Sequence, residues 1–160
     1  MNRGDWLLVF HLFGAFLLLS GAVAIQVFSA VAVRKERPSD VAFFFNLGRV
    51  AEMSINVGAF AALLFGLWLV HYDGYGYGQG WIVAAIAMWV AVAALGGAGG
   101  KRYVLARKEA EKLASAGDQP TPELERLKRD PTALWLSVAS GLVAFALLIV
   151  MIWKPGAHLG

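Results

Sequence analysis

The sequence contains no cysteine, and charged residues make up only 16% of its 160 positions. Without a thiol there is no disulfide framework, no thiolate metal site and no cysteine nucleophile. Soluble globular domains are about one quarter charged and about half apolar; here the apolar share is 59%, which argues against an ordinary water-soluble enzyme. Reaction-bearing motifs are missing as well. No glycine loop follows a strand to cradle phosphate, no His-Glu-x-x-His pattern holds zinc, and no serine sits in a nucleophile elbow. The four methionines are scattered, so there is no methionine-rich copper relay, and no repeat of fixed period runs through the chain.

What is present is long runs without charge. Trp6 to Val33, Met53 to Val70, Trp81 to Gly100 and Ala133 to Trp153 contain no Asp, Glu, Lys or Arg, and each is about the length that crosses a ~30 Å hydrocarbon core. The reading is an all-α polytopic membrane protein, a four-transmembrane-helix bundle forming one domain over 1–160, with spans at about 6–33, 50–70, 81–100 and 133–153. The run Ala22-Val23-Ala24 resembles a signal-peptide cleavage site. The apolar stretch nevertheless continues to Val33 and Asp5 offsets Arg3, so the segment reads as a retained span. At 1.5 Å per residue it is roughly 42 Å long, more than the core needs, and should tilt or protrude.

Of the 14 Lys and Arg residues, all but Arg3 and Lys154 fall within 34–52 and 101–132. Short loops this biased toward one side place that side in the cytoplasm and both termini outside, as expected for a bacterial-type inner (plasma) membrane. The same bias gives the pI of about 9.4. Because the basic residues border membrane ends and alternate with Glu109, Glu111, Glu123 and Glu125, they read as topology determinants and contacts for membrane lipids, and not as a nucleic-acid surface. Pro38 ends the first connection, and Ser39 or Asp40 can cap a second helix that opens on Phe43-Phe44-Phe45, with a bend allowed at Gly48. The third span should run on through Lys101 to Ala116 as a solvated helix stopped by Gly117. Thr121-Pro122-Glu123 starts a short helix through Arg129, completing a helical cytoplasmic hairpin over 101–132. On the other side, the glycine- and tyrosine-rich turn 71–80 joins Trp6, Trp68, Trp81 and Trp153 in an outer aromatic belt.

Small residues let membrane helices approach. Gly58, Ala62 and Gly66 form such a ridge in the second span, Gly96 and Gly100 in the third, and Ser137 and Gly141 in the fourth. Polar groups at membrane depth are costly and normally face a partner or a cavity. Arg49, Glu52 and Asn56 share one helical face and can satisfy one another. A register that sets residue 11 against residue 70 also brings Gln26 near Glu52 or Asn56. It places His11 and His71 toward the outer half of neighbouring helices, where neutral imidazoles could bind haem iron or copper.

The segment His11-Leu12-Phe13-Gly14-Ala15 followed by Gly21, and Gly96-Gly97-Ala98-Gly99-Gly100 before Lys101-Arg102, resemble a family of small, uncharacterised bacterial four-span integral membrane proteins. That family is placed near the copper-resistance D-type membrane proteins. A looser similarity runs to the membrane haem-biosynthesis oxidase, which implies His11 as a haem ligand. The oxidase's third-span lysine has no counterpart before Lys101, and Leu18-Leu19-Ser20 stands where relatives have tryptophan and glycine, so only His11 carries over. Three functions remain open: a non-catalytic accessory or structural subunit that packs on a membrane-protein partner or a second copy; a redox protein binding haem b or a quinone through His11 and His71; and a copper or small-ion transporter using His11 with Arg49, Glu52 and Asn56.

Overall fold

A computed structural model describes residues 2–157. Among them five helices follow in order, with no strand: α1 (Arg3–Val33), α2 (Pro38–Tyr72), α3 (Gly80–Ser115), α4 (Pro122–Lys128) and α5 (Pro131–Trp153). The segments α1, α2, α3 and α4–α5 are each long and apolar enough to cross a membrane, and no more than 17% of any span's most apolar stretch is buried inside the chain. Few residues of these stretches are fully buried, so much of their apolar surface faces outward, as expected of helices apolar on every side. Hereafter the end carrying the Lys and Arg residues is the basic end, and the other is the aromatic end.

Two antiparallel pairs make the bundle. The closest runs along α1 and α2, the next along α3 and α5; α2 and α3 touch more lightly, and α1 and α5 barely approach. The first pair is set by glycines. A Cβ on Gly58 would lie 2.5 Å from the Leu18 nitrogen and 2.6 Å from the Gly14 carbonyl; one on Gly14 would meet the Ala62 nitrogen at 2.6 Å, and one on Gly21 the Ala51 carbonyl at 2.7 Å. Only helices without side chains at these points can sit backbone to backbone. The second pair is looser: Gly96 faces the Ser140 hydroxyl and Gly99 the Leu136 Cβ at ordinary contact distances, and Ser140 donates to the Val92 carbonyl.

Four of the five helix starts have a side chain that accepts from their first N–H groups. Asn2 and Asp5 form a reciprocal capping box on α1, Thr121 caps α4 and Asp130 caps α5. The second helix departs from expectation. It begins at Pro38, earlier than Ser39 or Asp40 would cap it, Arg37 at the cap offers no side-chain bond, and it stays helical through Gly48. Its cap comes from elsewhere in the chain: Ser39 donates its backbone N–H and its hydroxyl to the two carboxylate oxygens of Asp118, each at 2.7 Å. Asp118 follows Gly117, and both adopt positive φ, 57° and 106°, a conformation Asp and Gly tolerate.

At the basic end these caps sit on a small core that would stand clear of lipid. Ala32, Val41, Phe45, Ala106, Ala110 and Leu124 are buried together, joining α1, α2, the extension of α3 and α4. Lys128 is buried beside them, with its ammonium 2.7 Å from the Lys35 carbonyl just past α1 and 2.5 Å from Glu125 Oε1. A carboxylate thus faces the N-terminus of α2 while a cation faces the C-terminus of α1, which matches both helix dipoles.

The Ser39 hydroxyl, then its amide, and finally the Arg37 charge hold the Asp118 carboxyl below its usual range. A depressed folded-state pKa means that the stabilisation is complete above the ordinary carboxylate pKa and is lost as pH falls through the lowered value. Amide protection at Ser39 and Asp40 should therefore fall on acidification, while the middle of α2 is unaffected. Asp118→Asn, which keeps the tolerated backbone, should lower that protection at neutral pH and abolish its pH dependence in hydrogen-exchange measurements.

Candidate ligand groove beside His11

The contacts of Gly14, Gly21 and Gly4 define how α1 and α2 are paired: Gly14 lies against Gly58–Ala62, Gly21 against Ala51–Ile55, and Gly4 against Tyr72. Residue 11 is accordingly level with Ala62–Gly66, deeper than residue 70. The tight turn Arg34–Arg37 sets this register, whereas aligning the outer ends of two apolar runs of unequal length does not. His11 and His71 are thereby separated by about seven residues, roughly 10 Å along the bundle. His71 is exposed on the last turn of α2, near the level of Gly4, and does not line the cavity that His11 lines.

That cavity is a groove of about 440 Å³ between the two helix pairs, walled by Leu8 and His11 of α1, Gly66 of α2, Trp89 of α3 and Leu148 and Met151 of α5. Its volume falls in the range of small-molecule sites, which are mostly apolar with a few fixed polar groups. Here the fixed group in the depth of the groove is the imidazole. His11 Nδ1 lies 2.8 Å from the Ala62 carbonyl. A carbonyl can only accept, so Nδ1 carries the proton, and in the neutral ring Nε2 is left with a lone pair. The ring packs on Gly66, whose Cβ would fall 2.9 Å from it. Trp89 is likewise held, its indole N–H donating to the Ala59 carbonyl at 3.2 Å. At the aromatic end the mouth carries Asp73 and Lys154, with the Lys154 ammonium over the rings of Tyr75 and Trp81.

Trp81 itself departs from the belt reading. It is 4% exposed, packed edge-on against Tyr75 and bonded to the Gln79 side chain, because the turn folds back with the Tyr75 amide on the Val70 carbonyl. Trp6, Trp68 and Trp153 are exposed, as a belt requires.

Toward the basic end, Gln26 donates to the Ser137 hydroxyl. This bond ties α1 to α5 across a seam where the two helices otherwise make few contacts. It also replaces the expected pairing of Gln26 with Glu52 or Asn56. Among the described residues no hydrogen bond or ion pair joins Arg49, Glu52 and Asn56, and all three are exposed. Glu52 reaches instead toward Gly100 of α3, 3.8 Å from its Cβ position. Sequence reasoning named His11 but missed the Ala62 carbonyl that fixes its tautomer and the Gln26–Ser137 tie. The seven-residue spacing of Gly14 and Gly21 was the available signal for the register that produces both.

The family model described as Predicted integral membrane protein (DUF2269) matches residues 5–155. Comparison with curated proteins and with solved structures gives no match.

Proposed function

We propose, from the premise that the chain belongs to the DUF2269 family of predicted integral membrane proteins, that it is a non-catalytic accessory protein of a bacterial-type inner membrane that holds haem b in the groove beside His11. The observation that carries this reading is the His11 Nδ1 bond to the Ala62 carbonyl. Histidines that ligate metals commonly donate their other ring N–H in this way, which fixes the ring and raises the basicity of the ligating nitrogen. The free Nε2 lone pair suits an iron. It does not suit a quinone carbonyl, which needs a donor, whereas a quinol hydroxyl could donate to it. The apolar walls suit a macrocycle, and Lys154 at the mouth suits its carboxylates. Bound haem would supply one-electron transfer, while the chain supplies ligand, apolar walls and access. A bare copper or other small cation draws less support, because among the described residues no group of three or more His, Asp or Glu side chains lies together.

The accessory part of the reading rests on the absence of reaction-bearing motifs in the sequence, with a membrane-protein partner or a second copy as its contact. Kinship with copper-resistance D-type proteins belongs to the same proposal. So does the topology: the basic end in the cytoplasm and both termini outside, from the Lys and Arg bias.

A reduced-minus-oxidised visible spectrum, with haem assayed on protein taken from its native membrane in mild detergent, tests this directly. The expected result is about one haem per chain, lost in His11→Ala and kept in His71→Ala. A colourless wild-type protein overturns the haem reading, and a spectrum unchanged by His11→Ala overturns the ligand assignment.

A further inference from the structure

We infer that the cleft between α3, α4 and α5 at the basic end is a site for the headgroup of an anionic phospholipid. The cleft holds about 710 Å³ and is lined by Lys101, Arg102, Arg126 and Asp130, with Ala98 and Leu136 on one side and Leu105 and Leu127 on the other. Its position sets the class of ligand. Ala98 and Leu136 belong to charge-free spans, and Lys101 and Arg102 are the first charges after the third span, so the basic band stands at headgroup depth with apolar surface running from it into the bilayer. Trp135, 71% exposed beside Leu136, marks the same interface.

The charge balance favours an anion. Asp130 is occupied by Arg102 and by the Thr132 amide, and Arg126 is paired with Glu123 one turn earlier on α4. Lys101 has no ion-pair partner among the described residues. Of the three cations that line the cleft, Arg102 and Arg126 are each held by a carboxylate and Lys101 is left as the uncompensated charge, with guanidinium N–H groups beside it, an arrangement by which basic pockets between membrane helices hold phosphate-bearing headgroups. This inference is independent of the groove beside His11, which lies at the other end of the bundle.

The test counts lipids bound to the detergent-solubilised full chain by native mass spectrometry during titration with dioleoyl phosphatidylglycerol, with dioleoyl phosphatidylcholine as the uncharged-headgroup reference. The wild-type chain should hold phosphatidylglycerol in preference to phosphatidylcholine. The double variant Lys101→Gln, Arg126→Gln should bind it about twenty-five-fold more weakly, from about fivefold per charge removed near a membrane surface. The matched variant Lys108→Gln, Arg129→Gln removes the same charge outside the cleft and should bind as the wild type does. Equal losses in the two variants, or none in the first, would overturn the site. Displacement of the lipid by millimolar inorganic phosphate would overturn its assignment to a phospholipid. Circular dichroism of each variant confirms the helical fold, and a cleft variant that does not fold is replaced by Lys101→Gln alone, for which about a fivefold loss is expected.

Discussion

Replacing Gly58 by alanine should cost about 3 kcal/mol or more of the stability of the α1–α2 pair, the upper end of what overpacking a close-packed contact does. Helix propensity alone argues the other way, since alanine is favoured over glycine inside a helix by about 1 kcal/mol. Geometry decides the sign. The new methyl would stand 2.5 Å from a backbone nitrogen and 2.6 Å from a backbone carbonyl of α1, and backbone cannot rotate away as a long side chain can. The helices must separate, and every contact along the seam loosens with them. Gly97 provides the control: it is also helical, but nothing lies within 4 Å of its Cβ position. Unfolding in mixed micelles should show Gly58→Ala strongly destabilised and Gly97→Ala unchanged or slightly stabilised. Equal behaviour of the two would mean that α1 and α2 do not meet at Gly58.

Lys128→Met should release α4 from the rest of the basic end. Methionine keeps most of the stem's length and removes the ammonium, so the change isolates the charged contacts to the Lys35 carbonyl and Glu125. Hydrogen bonds to charged groups contribute about 1.5–3 kcal/mol, and Glu125 is partly exposed, so the loss should be about 2–3 kcal/mol and confined to this region. Limited proteolysis should then cut between 116 and 131 much faster, while the spans stay protected. Arg129→Met, at a side chain 66% exposed and only loosely paired with Glu125, should change the cleavage rate little. Cleavage that is no faster in Lys128→Met would show that the apolar contacts of Leu124 hold α4 unaided.

The contrast between these two sites shows where sequence is informative. The four spans were legible because a charge-free run of that length has few other uses, and the short α4 was legible because Thr121, Pro122 and Glu123 form a local start signal. The glycine ridge on α2 was legible as a surface for close approach. Its partner was not, because a small-residue stripe does not say which helix it meets or at what height. The height followed from the turn Arg34–Arg37, and with it went the level of His11, its separation from His71 and the partner of Gln26. Contacts made across the chain were the least visible. Asp118 caps α2 from a loop 79 residues away, and Lys128 reaches a carbonyl 93 residues away; each looks in the sequence like an ordinary solvated charge. Trp81 failed as a belt residue for the same reason, since Tyr75 and Lys154 cover it from separate segments.

The sparse seam between α1 and α5, tied by Gln26 and Ser137, would make the surrounding leaflet the phase from which an apolar occupant of the groove arrives. Such a molecule would exchange by diffusion in two dimensions, and its occupancy would follow its mole fraction among the lipids and not its concentration in water. Diluting a membrane suspension with buffer would then leave the groove as full as before, whereas diluting the membrane itself with added lipid would empty it.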